Sequence, residues 1–65
     1  MKSPILKKIK DLRLKNDLSQ KDMAKVLGYA SPKGYHDVET GKIRLKVEQL
    51  QEIAKALNVP IETFF

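Results

Sequence analysis

The chain contains no cysteine, so no disulfide staples it and no thiolate can bind metal. Its one histidine, His36, cannot hold a metal ion alone. No apolar run approaches the roughly 18 residues needed to span a bilayer, and no signal-peptide pattern is visible. A cytoplasmic protein without membrane contact is therefore expected. There is no glycine-rich phosphate loop, no cluster of metal-ligating side chains, and no nucleophile enclosed beside a base. Ser31 and His36 fall on one exposed helix with nothing to shut out water. Neither an enzyme, a cofactor nor a small-molecule ligand is expected.

What is present is an ordinary globular composition, 42% hydrophobic and 32% charged over 65 residues. A chain of this length buries only about 60% of the surface its unfolded form exposes, so it folds with little margin. The net charge of +5 favours a polyanionic partner. That charge is concentrated. Residues 1–16 hold six Lys/Arg against one Asp, whereas the remaining residues carry equal numbers of each sign. By charge alone the contact belongs to the first helix.

The stretch from Leu18 to Lys42 organises the rest. Ser19 is a good N-cap, with Asp22 three residues on in the reciprocal position of a capping box. Gly28 can end that helix in the left-handed conformation. Ser31-Pro32 restarts a helix with a cap and a proline at N1, and Gly41 closes it. Two short helices joined by a tight turn form a helix-turn-helix, whose second helix is the one usually offered to the DNA major groove. The motif spans about residues 19–40.

The flanking segments are also helical. Ser3-Pro4 opens a helix from about Pro4 to Lys15, with Ile5, Ile9 and Leu12 as its buried stripe and Leu6 widening it. The Ser19 helix buries Met23, Ala24 and Leu27, and Val26 lies at its edge. The Ser31 helix buries Val38 and Tyr35 and leaves Lys33, His36 and Asp37 outward. After a connection through Ile43 and Leu45, a helix from about Val47 to Leu57 presents Val47, Leu50, Ile53, Ala54 and Leu57 as one stripe. Asn58 can end it, and Pro60 opens a last helical turn carrying Ile61, Phe64 and Phe65. The expected fold is all-α, five short helices in one domain over residues 1–65.

Several residues recur together in a familiar order. They are Ile9-Lys-Asp-Leu-Arg13, Leu18-Ser-Gln20, Met23-Ala24, Leu27-Gly28, Val38-Glu39-Thr-Gly41-Lys42, and Leu50 through Ile53-Ala-Lys-Ala-Leu57 and Val59. From about Ile5 to Phe64 the chain resembles the Cro/C1-type (XRE) helix-turn-helix domains of phage repressors and related bacterial regulators. The resemblance implies a lambda-repressor-like fold and a partner of double-stranded DNA. It implies base contacts at Ser31, Pro32, Lys33, His36 and Asp37, and phosphate contacts at Gln20, Lys42 and Arg44. It also implies a largely buried ion pair between Arg13 and Glu39. Pro32 departs from the pattern, since relatives usually offer a hydrogen-bonding side chain there. The turn also looks one residue longer than in the commonest members.

The chemistry leaves alternatives at some positions. Lys33 can donate to guanine O6 and N7 or simply meet a phosphate, and His36 can donate to either or stand idle. Asp37 can accept from cytosine N4 or only orient Lys33 four residues before it. Gly34 either brings the helix closer to the bases or is tolerated in the first turn. Ile61, Phe64 and Phe65 either make a two-fold contact or cover the underside of the core. The leading expectation is a transcriptional repressor acting as a homodimer on a near-palindromic operator. An interaction module, such as an antitoxin or anti-repressor component, is the alternative.

Overall fold

Ser19 and Asp22 bond each other reciprocally. The Ser19 hydroxyl accepts the Asp22 N–H at 3.0 Å, and the Asp22 carboxylate accepts the Ser19 N–H at 2.9 Å. The Ser19 backbone N–H, and after it the Ser19 side chain, hold the Asp22 carboxyl below the usual carboxylate range. This box starts helix α2 (Gln20–Leu27), which ends at Gly28 with φ 78°. Aspartate thus substitutes for the more usual glutamate.

The computed structural model describes residues 4–65, so the expected Ser3 cap lies outside the described residues. Helix α1 (Pro4–Lys15) precedes α2. Its stripe is as expected, with Ile9 fully buried and Ile5, Leu6 and Leu12 packed against the core. It stops at Asp17, whose φ of 57° aspartate tolerates better than most residues, and the Leu18 N–H returns to the Arg13 carbonyl at 3.0 Å.

Helix α3 (Pro32–Glu39) begins with Pro32 at N1, but the Ser31 hydroxyl makes no cap bond. The Gly34 N–H, one natural target of that hydroxyl, bonds instead to the Ser31 carbonyl at 3.3 Å. Ser31 therefore keeps an unused hydroxyl on the surface. Tyr35 and Val38 turn inward, both fully buried.

Helix α4 (Val47–Ala56) follows, with the Lys46 N–H donating to Gln49 Oε1 at 3.0 Å. Leu50, Ile53, Ala54 and Leu57 are buried, but Val47 is 62% exposed. The stripe continues by periodicity past the edge of the core, so its first member overhangs. Asn58, at φ 57°, ends the helix as expected.

The last helical turn, opened by Pro60 as expected, is of the 3₁₀ kind. Ile61–Phe64 is a single 3₁₀ turn, closed by Thr63 N–H to the Pro60 carbonyl at 3.0 Å. Four residues suffice for one i→i+3 turn and no more. The fold is all-α, with four α-helices and this turn. Phe64 is 1% exposed and belongs to the core with Ile9, Met23, Tyr35 and Ile53, so it is not available for a dimer contact.

Helix α2 packs chiefly on α3 and α4, while α1 lies against α3 and the 3₁₀ turn. The Lys8 ammonium donates to the Thr63 carbonyl at 3.3 Å. Neither reading of Gly34 anticipated its neighbour. A Cβ there would lie 2.8 Å from the Cγ and Cδ1 of Tyr29, whose hydroxyl accepts from the Gln49 amide at 3.3 Å. Tyr29 thus links the turn to α4 by filling the notch over Gly34. Gly34→Ala gains about 1 kcal/mol of helix propensity but meets an overpacking cost of about 1–3 kcal/mol, so a net loss is expected. In a Tyr29→Ala background the same change should become stabilising, which urea denaturation of the four proteins would check.

Candidate nucleic-acid interface

The 3.6-residue period that buries Tyr35 and Val38 turns Ser31, Pro32, Lys33 and His36 to solvent along one face of α3. The Lys33 side chain is 77% exposed. Asp37 departs from the expectation of an outward residue, because its side chain is only 17% exposed. One carboxylate oxygen accepts from Lys33 Nζ at 3.1 Å, while Oδ1 is buried and unpartnered. This contact holds the Asp37 carboxylate beside Lys33.

The start of α2 adjoins this face. Gln20 Nε2 lies 3.3 Å from His36 Nδ1, a contact in which the amide donates whenever that nitrogen is unprotonated. The residue expected at a phosphate and one expected at a base therefore touch. They form one continuous surface with the exposed tip of α3.

On the far side of α3 the chain leaves through Lys42 and Arg44, both exposed. The Asp37 carbonyl accepts the Lys42 N–H at 2.8 Å, the Ile43 N–H at 3.2 Å and the Thr40 hydroxyl at 3.3 Å. This carbonyl therefore fixes where the basic segment departs. Lys46 extends the same row and was missed at the sequence level. The signal was there: Lys42-Ile43-Arg44-Leu45-Lys46 alternates charged and apolar residues, as an extended segment lying on a core does. Ile43 and Leu45 are half-buried, and the three cations face out.

Behind the face, Arg13 and Glu39 form the implied pair. Arg13 Nε donates to Glu39 Oε2 at 2.9 Å and Nη2 to Oε1 at 3.0 Å, with the side chains 8% and 4% exposed. Nη1 donates to the Leu18 carbonyl at 2.8 Å. One guanidinium thus joins α1, the cap of α2 and the end of α3. The bonds to Glu39 raise the Arg13 pKa above its ordinary value. The Tyr35 hydroxyl is buried and has no hydrogen-bond partner among the described residues. Burial first, then the Glu39 carboxylate, hold that phenol protonated well above its usual range.

The three residues expected at a dimer contact do not form one patch. Phe64 is internal, Phe65 borders an open groove with Leu6 and Val47, and Ile61 borders a separate hollow with Ala54 and Val59. Among the described residues no helix is long and apolar enough to cross a membrane.

A helix-turn-helix family model matches residues 9–64. Comparison with curated proteins and with solved structures gives no match. With the paired helices, the exposed face of α3 and the Arg13–Glu39 bridge in place, the chain belongs to the Cro/C1-type (XRE) helix-turn-helix family of DNA-binding regulators.

Proposed function

We propose that this protein is a transcriptional repressor that binds a near-palindromic operator as a homodimer, in the cytoplasm. The observation that carries this reading is the solvent-facing tip of α3, where Lys33 and His36 project beside the free hydroxyl of Ser31. Gln20 and the N-terminus of α2 hold one phosphate, where free N–H groups favour an anion. Lys42 and Arg44 hold phosphates on the other side of α3. Pro32 offers only an apolar contact, suited to a thymine methyl. One helix of this kind reads few base pairs, so useful specificity calls for two copies on two half-sites.

Lys33 reads a guanine, and Asp37 acts through it. The Lys33 ammonium is the exposed end of its pair with Asp37, so it is free to swing to O6 and N7. Selection from random duplexes should recover a short inverted repeat, and recovery of no motif would sink the proposal. Lys33→Ala should lose about 1–3 kcal/mol of discrimination at one base pair, measured by competition with singly substituted operators. Equal weakening on every sequence would move Lys33 to the phosphates instead.

A further inference from the structure

Between the start of α1, the 41–46 connection and the start of α4 lies an open groove of about 640 Å³. Leu6, Ile43, Leu45, Val47, Leu50 and Phe65 supply its apolar wall. Val47 and Phe65 are 62% and 76% exposed, although both are large hydrophobic residues in a small domain. Lys42, Arg44 and Lys46 line the same groove, and none has an ion-pair partner among the described residues.

We propose that this groove binds an acidic amphipathic helix of another protein. The charge identifies the occupant. Three cations without counter-ions around an apolar floor complement carboxylates flanking a hydrophobic stripe. A second copy of this chain fits worse, because it carries +5 and would bring its own Lys42, Arg44 and Lys46 to the contact. The groove is open along its length, which suits a segment laid across it, with anchors at i, i+3 or i+4, and i+7. Val47 and Phe65 meet those anchors, and the cations meet carboxylates on either flank. The groove shares Lys42 and Arg44 with the proposed phosphate contacts, so the helix and the operator would exclude each other, while the peptide test needs no DNA.

The test uses the full chain and a fluorescein-labelled peptide of about four helical turns. The peptide carries leucine at the anchor positions and glutamate on the flanks, and its control is a scrambled isomer of identical composition. The ordered peptide should bind about tenfold more tightly than the scrambled one by fluorescence anisotropy, because only it presents a continuous apolar stripe. Val47→Ser and Phe65→Ser, at exposed positions, should each weaken binding about tenfold while leaving the far-ultraviolet circular dichroism unchanged. Amide resonances of Leu6, Ile43, Leu45, Val47 and Phe65 should shift on titration. The proposal is overturned if both peptides bind equally, which means charge alone, or if the shifts fall on Ser31 to His36. It is also overturned if neither serine variant weakens binding, or if Phe65→Ser turns a dimer into a monomer in sedimentation, which would seat a second copy of the chain on Phe65.

Discussion

Arg13→Ala should destabilise the protein by about 3–5 kcal/mol, because it leaves the Glu39 carboxylate buried without its partner. A domain of this length holds roughly 3–10 kcal/mol in total, so the variant should sit near the edge of unfolding at room temperature. The size of the effect follows from the geometry. Both Glu39 oxygens are taken by one guanidinium, and the same group satisfies the Leu18 carbonyl. Removing Arg13 therefore orphans three acceptors. Glu39→Ala should cost a similar amount from the other side. Replacing both together, Arg13→Met with Glu39→Leu, should recover much of the loss, since a well-packed apolar pair is often neutral relative to a buried ion pair. Urea denaturation of the wild type, Arg13→Met, Glu39→Leu and the double variant decides it. Additive single losses in the double variant would mean that the pair does not act as a unit.

The second large effect separates two neighbouring phenylalanines. Phe64→Ala should cost about 3–5 kcal/mol, the range for emptying a buried aromatic site, since Phe64 is 1% exposed. Phe65→Ala should change stability by no more than about 0.5 kcal/mol, because Phe65 is 76% exposed. Unfolding midpoints measured side by side test the assignment. Equal losses would place both rings in the core, and a negligible loss at Phe64 would remove the 3₁₀ turn from it.

These two residues also show how far the sequence can be read. Ser19, Asp22, Gly28 and Asn58 were legible because caps and left-handed ends are set by a few adjacent residues. The outward Lys33 and His36 and the inward Tyr35 and Val38 follow from the period of one helix. Ser31 failed as a side-chain cap because its own carbonyl took the Gly34 N–H, a local competition that the residue types do not reveal. Phe64 and Phe65 are adjacent and both apolar, and only the tight 3₁₀ turn decides which ring points inward. Val47 continues the α4 stripe faithfully, but periodicity does not say where the core beneath it stops.

The site divides in the same way. Arg13 and Glu39 are 26 residues apart, and no local rule pairs them; the family resemblance did. Gly34 looked like a matter of helix propensity or access to bases, whereas its neighbour Tyr29 comes from outside the helix. Asp37 belongs to the outward face by period, but its side chain is largely buried and its carbonyl takes the returning chain at Lys42 and Ile43. Lys46 could have been found from the alternation of the 42–46 segment.

That returning chain joins two functions mechanically. The carbonyl of Asp37, the residue whose side chain pairs with Lys33, also suspends the backbone that leads to Lys42 and Arg44. A shift of the Asp37 backbone would therefore carry the Lys33 ion pair and the basic segment with it.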